Sequence, residues 1–190
     1  MTAQTMMKTS NVVNGLNVDD VLGLIQSVKD DPANGKTSWQ VKSAWQYGAH
    51  IQATTGKVTV GGKDVERGFT IDVDEPFELG GTNQYANPQE YLLAALNACM
   101  LTGYTALCAL HGIHLDKLEL VTEGDIDLRG FLGLDPAVSP GYDALSVTVT
   151  VKGDGTPEQF EEIHRMMLAT SPNFHNISKA ITMNPSLVVE

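Results

Sequence analysis

The longest continuous pattern in the chain is Asn87 to Gly112, NPQEYLLAALNACMLTGYTALCALHG, apolar nearly all round. It reads as one helix. Asn87 suits an N-cap, Pro88 suits the first helical position, and Glu90 sits where a capping-box acid reaches back. Gly112 suits the C′ position after His111. Leu92, Leu93, Leu96, Met100, Leu101, Leu107 and Leu110 leave no polar stripe, and such a helix belongs inside a protein. Cys99 lies near its middle.

The flanking segments alternate differently. Residues 1–16 read as loose. Asn17 then caps a short amphipathic helix, with Val21, Leu24, Ile25 and Val28 on one face and Asp19 and Asp20 in the first turn. Trp39, Val41, Ser43 and Trp45 alternate with their neighbours, as do Ala49, Ile51 and Ala53; Val58–Val60 and Phe69–Val73 follow, with a turn at Gly61. After the helix, the even positions of 117–128 are Leu118, Leu120, Thr122, Gly124, Ile126 and Leu128, and the odd positions of 144–152 are apolar. The period of two predicts antiparallel strands with one wet face, the odd, acidic face of 117–128 being solvated. Thr156-Pro-Glu-Gln opens a further helix with a capping box, its buried stripe being Phe160, Ile163, Met166 and Met167. Ser171-Pro172 breaks that helix, and a last strand is expected from Ile181 to Val189, with Pro185 suiting an edge or bulge.

This order predicts an α+β fold. A helix apolar on all sides is more than one such sheet can cover, so a second subunit is expected to complete its burial. An exposed flank of Leu92, Leu96, Leu107 and Leu110 would be too large an apolar patch for a soluble monomer.

Composition narrows the function classes. The 190 residues carry a net charge of −11, which disfavours nucleic acid and anionic membrane surfaces. The central helix could span a bilayer by length, but Asn97, Thr102, Gly103 and Thr105 interrupt it and no Lys/Arg clusters flank it. The start, MTAQTMMKTSNVV, lacks the apolar core of a signal peptide. The two cysteines, Cys99 and Cys108, are nine positions apart in one helix, about 180° around it and about 13 Å along it, so they cannot bond to each other. A reducing, cytoplasmic setting follows as the expectation. No phosphate loop, dinucleotide fingerprint or hydrolase elbow appears, and no cofactor is implied. His111 and His114 lack a third ligand, so no metal site is expected.

NPQEYLLAALNACM, preceded by FELGG, resembles the osmotically inducible protein C and organic hydroperoxide resistance (OsmC/Ohr) family. The resemblance extends from Trp39 to Glu190 and leaves residues 1–36 as an N-terminal extension, with a single OsmC-like domain at 37–190. It implies an intertwined homodimer, antiparallel sheets wrapped around long central helices, with active sites between subunits. Better-known members are thiol peroxidases, in which a thiolate attacks an organic hydroperoxide and becomes a sulfenic acid. A second cysteine, in a Cys-Pro motif, resolves it, and an arginine held by a glutamate stabilises the thiolate.

Cys99 matches the attacking cysteine. Ser171-Pro172 stands where the Cys-Pro motif would be, so the resolving thiol is missing. Gln89 replaces the family glutamate, with Glu90 its neighbour. The segment WQYGAHI offers His50 in place of the arginine, and Arg67, Arg129 and Arg165 are elsewhere. His175 would lie near Cys99, while Cys108 reads as a core cysteine and His164 as helix surface. The resemblance therefore implies either a one-cysteine peroxidase that reduces organic hydroperoxides through Cys99 with an external thiol, or a non-catalytic relative that binds an apolar small molecule at the dimer interface. The candidate site residues are Cys99, Glu90, His50, Gln89, Ser171 and His175.

Overall fold

A computed structural model describes residues 11–190. The chain divides into two compact units, one ending at Leu92 and the other running Leu93–Glu190.

Residues 1–10 of the segment expected to be loose lie outside the described residues. The remainder forms a hairpin, β1 (Val12–Val13) and β2 (Leu16–Asn17). Its turn is Asn14-Gly15, both at positive φ (52° and 79°), the dipeptide that two-residue hairpins favour. Asn17 caps α1 (Val18–Asp30), its side chain accepting from the Asp19 N–H at 3.1 Å. Leu24 and Ile25, expected on a buried face, are exposed in this chain.

Six strands follow: β3 (Thr37–Ser38), β4 (Val41–Tyr47), β5 (His50–Thr55), β6 (Val58–Val60), β7 (Lys63–Val65) and β8 (Thr70–Val73). They form two antiparallel sheets, β3-β6-β7 and β4-β5-β8. The turn at Gly61-Gly62 folds β7 back onto β6, pairing Lys63 with Val60. Every residue of β4 is exposed, including Trp45 and Tyr47. The alternation is a correct sign of a strand, but its apolar side lies uncovered.

The central helix α2 (Pro88–Leu110) forms as expected. Asn87 Oδ1 accepts from the Glu90 N–H at 2.9 Å, and Glu90 Oε2 accepts from the Asn87 N–H at 2.7 Å, a reciprocal capping box. At the other end, Gly112 at φ 70° allows the Ile113 N–H to reach the Cys108 carbonyl at 2.9 Å, closing the helix.

In the second unit, β9 (Leu115–Glu123) pairs antiparallel with β10 (Ser146–Gly153). Leu118, Leu120, Val147 and Val149 turn inward, and Lys117, Glu119 and Glu123 stay exposed, as the alternation predicts. The strand ends at Glu123 instead of continuing to 128. Asp127 accepts from the Arg129 N–H and caps a single helical turn, α3 (Leu128–Phe131). Then come α4 (Pro157–Thr170), with its Thr156/Gln159 capping box, and α5 (Pro172–Ser178).

Leu96, Met100, Tyr104 and Cys108 follow one another every four residues on one face of α2. With Ile113, Ile163 and Met167 they form the core, none more than 4% exposed. Burying each large apolar side chain contributes about 1.5–3 kcal/mol. Gly103 admits α4 here, since a Cβ at that position would already lie 3.3 Å from Met167 Cγ. Of the flank expected to be exposed, Leu96 thus belongs to the core, Leu107 packs against it and Leu110 is half-buried, leaving Leu92 exposed. Asn97, one of the polar interruptions, accepts from the Thr122 hydroxyl at 2.6 Å. The helix is long and apolar enough to cross a membrane, but one face of it is the core of a protein unit.

The last strand expected from Ile181 to Val189 does not form: the segment is exposed and joins no sheet among the described residues. A period-two pattern specifies a strand only when another strand lies beside it.

Candidate functional site

Cys99 faces α5 from the middle of α2, partly exposed, with its sulfur 3.5 Å from Ser171 Oγ. It lies about three turns in from Asn87, so the positive end of the helix dipole, which acts over one turn, does not reach it. The dipole of its own helix therefore does not favour a thiolate at Cys99.

Ser171 holds its position through the backbone. It ends α4, its N–H donating to the Met167 carbonyl at 2.9 Å, and caps α5, its hydroxyl oxygen accepting from the Phe174 N–H at 3.4 Å. Pro172 supplies the first position of α5. The Asn173 side chain donates to the Ala95 carbonyl at 2.9 Å and ties α5 to α2. Ser171 is buried, and because its oxygen already accepts from Phe174, its O–H is free to donate to the sulfur. A hydroxyl there can stabilise a thiolate or sulfenate by hydrogen bonding. It cannot form a disulfide. Cys108, the other thiol, is fully buried, and burial pushes its pKa up, the behaviour of an inert core cysteine.

His50 opens β5, and strand register explains its partner. Gln52 pairs directly with Asp72 of β8, and His50, two residues earlier, shares that face. His50 Nε2 and Gln52 Nε2 each lie 3.0 Å from Asp72 Oδ1. The hydrogen bonds from His50 and then Gln52 hold the Asp72 carboxyl below its ordinary range. The ring also stacks on Tyr85, centroids 5.2 Å apart, and the Tyr91 hydroxyl donates to the Asp72 carbonyl at 2.7 Å. The histidine proposed by sequence to replace an arginine is therefore held by a carboxylate.

The other expected residues are less engaged. Glu90 is spent on the capping box, and Gln89 is exposed on the same first turn. His175 lies on α5 beyond Ser171, but its imidazole is exposed and makes no hydrogen bond or ion pair among the described residues. The three arginines are occupied locally. Arg129 pairs with Asp127, Arg165 with Glu162, and Arg67 lies 4.7 Å over the Phe69 ring.

Sequence reasoning missed Asp72, Tyr85 and Asp74. Asp74 is buried, and its Oδ2 accepts from the Thr82 hydroxyl at 2.6 Å, the Thr82 N–H at 2.9 Å and the Gln84 N–H at 3.2 Å. The Thr82 hydroxyl above all, with the backbone N–H groups of Glu75, Gln84 and Thr82, holds its carboxyl down to about 2 against the effect of burial. It anchors the Gly80-Gly81 loop, where a Cβ on Gly81 would lie 1.8 Å from the Glu75 carbonyl oxygen. The glycine pair was visible in the sequence; the carboxylate that fixes it was not.

The family described as OsmC-like protein matches residues 81–186, more than half of the chain, and the chain belongs to that family. Solved structures agree on the fold. An OsmC-like protein from Mycoplasma pneumoniae superposes with a TM-score of 0.59 at 14% identity, over 74% of this chain and 87% of that one. An OsmC-like protein of unknown function from Vibrio cholerae gives a TM-score of 0.54 at 12% identity, over 73% and 92%. Comparison with curated protein sequences gives no match.

Proposed function

We propose that the chain is a one-cysteine thiol peroxidase of the peroxide-stress class. The observation that carries this reading is a partly exposed Cys99 thiol at the family's attacking position, 3.5 Å from a serine hydroxyl in place of a second thiol. The Cys99 thiolate attacks the terminal oxygen of an organic hydroperoxide. The O–O bond breaks, the alkoxide takes up a proton and leaves as an alcohol, and sulfur becomes a sulfenic acid. One external thiol condenses with the sulfenic acid and releases water. A second displaces the mixed disulfide and returns Cys99 to the thiol, so two thiols are oxidised for each hydroperoxide reduced.

The cation in this reading is His50, oriented by Asp72, as a carboxylate orients the arginine elsewhere in the family. A second copy of the chain is proposed to bring it to Cys99, in a homodimer that also covers β4. Purified wild type and Cys99→Ser are compared for consumption of cumene and fatty-acid hydroperoxides in the presence of a small thiol, with dimedone trapping of sulfenic acid. Rapid Cys99-dependent turnover and a trapped adduct are expected. Equal, slow consumption by both proteins with no adduct overturns the reading.

The occupied arginines favour a second reading, in which the chain is a non-catalytic relative that binds an apolar molecule between subunits. It calls for slow alkylation of Cys99. Fast iodoacetamide labelling at pH 6 counts against it and for the peroxidase.

A further inference from the structure

Moving along the contact between α2 and α4, Cys99 meets Ser171, Gly103 meets Met167, and Tyr104 meets His164. Beside this last pair, away from the thiol, lies a cavity of about 460 Å³. Small-molecule sites typically occupy about 300–1,000 Å³. Val149 and Val151 of β10 and Pro157 and Phe160 of α4 line it with apolar surface, and Tyr104 and His164 add a hydroxyl and an imidazole.

The Tyr104–His164 pair leaves one ring nitrogen facing outward from the bond. Tyr104 is 1% exposed, and burial, with Cys108 beside it, pushes its phenol up to about 12, so it remains an O–H donor. It is hydrogen-bonded to His164 Nδ1. The other ring nitrogen, Nε2, has no partner among the described residues. The charged groups at the cavity are Glu161 and Arg165, and the Arg165 guanidinium is already bonded to Glu162. With the guanidinium there already paired, and with a net charge of −11 on the chain, an anionic ligand is disfavoured.

We propose that Tyr104 donates to His164 Nδ1, so that Nε2 carries the ring proton, and that this cavity binds a neutral, apolar-bodied small molecule bearing a carbonyl or ether oxygen, which accepts a hydrogen bond from that Nε2–H. No atom of Cys99 takes part, so the site stands or falls separately from the peroxidase reading. The test uses three shape-matched probes on the full chain: acetophenone, ethylbenzene, which lacks the acceptor, and benzoate, which is charged. Binding is followed by the methyl resonances of Val149 and Val151. Acetophenone should give saturable shifts and bind about five- to tenfold more tightly than either of the others, the worth of one hydrogen bond. His164→Ala should abolish that preference, His164→Gln should retain part of it, and Val151→Trp should fill the cavity and remove binding. Cys99→Ser should leave it unchanged. His164 is on an exposed helix surface, so its variants carry the test even if Val151→Trp does not fold. Absence of saturable shifts at millimolar acetophenone, equal binding of ethylbenzene or benzoate, or a preference that survives His164→Ala overturns the proposal.

Discussion

Ser171 Oγ stands 3.5 Å from Cys99 Sγ while accepting from the Phe174 N–H. One hydroxyl therefore caps a helix and faces the thiol. Placing sulfur at this position needs only a small adjustment to reach disulfide distance, about 2.05 Å. Ser171→Cys should therefore give a variant in which Cys99 and the introduced thiol close a disulfide on treatment with one equivalent of hydroperoxide. Mass spectrometry should show loss of two hydrogens in the variant, and addition of oxygen in wild type. Continued accumulation of sulfinic and sulfonic acid in the variant would show that the two side chains do not meet in solution.

The His50–Asp72 pair should matter to rate and not only to folding. His50→Gln keeps a polar side chain on β5 but removes the imidazole, and should lower kcat/KM for cumene hydroperoxide by about tenfold or more, a loss of roughly 1.4 kcal/mol of transition-state stabilisation. Asp72→Asn should lower it less, since the ring remains. An unchanged kcat/KM in His50→Gln, with an unchanged Tm, would remove His50 from the site.

Asp74 sets an acid limit on the glycine loop. Its folded pKa of about 2 lies below the ordinary value of 3.8. The ionised carboxylate binds the loop N–H groups better than the acid does. Its contribution to stability is fully present above about pH 4 and is lost as pH falls toward 2. Proteolysis at residues 75–86 by pepsin, an acid protease, should therefore accelerate across that window, and Asp74→Asn should be susceptible already at pH 4. A flat profile in wild type would contradict this anchoring role.

Assembly is tested by the exposed apolar surface. Trp45 at 68% and Tyr47 at 83% exposure, with Leu92 at 41%, call for a partner. The protein should sediment as a dimer at micromolar concentration, with an unfolding midpoint that rises with protein concentration. Removing residues 181–190, which join no sheet in the single chain, should weaken the dimer. A monomer with a concentration-independent midpoint would exclude this assembly.

What the sequence made legible was mostly local. The Asn87/Glu90 and Thr156/Gln159 boxes, the Gly112 stop and the inward faces of β9 and β10 depend on residues within a few positions of one another, and all appear as read. The position of Ser171 came from resemblance, and its hydroxyl lies 3.5 Å from the Cys99 sulfur. Asp72 and Asp74 escaped because strand register and loop closure chose their partners, at separations that periodicity does not report. The β1–β2 hairpin was marked by Asn14-Gly15 but passed over, since two-residue strands carry almost no pattern. The Ile181–Val189 strand failed for the opposite reason: the pattern was present and the neighbour was not.

Cys108 is sealed in the core and Cys99 is not. To a thiol reagent the folded protein is a molecule with one address. A fluorophore or spin label can be attached at Cys99 without first engineering away a competitor, and the appearance of a second labelled cysteine becomes a direct clock for the opening of the core.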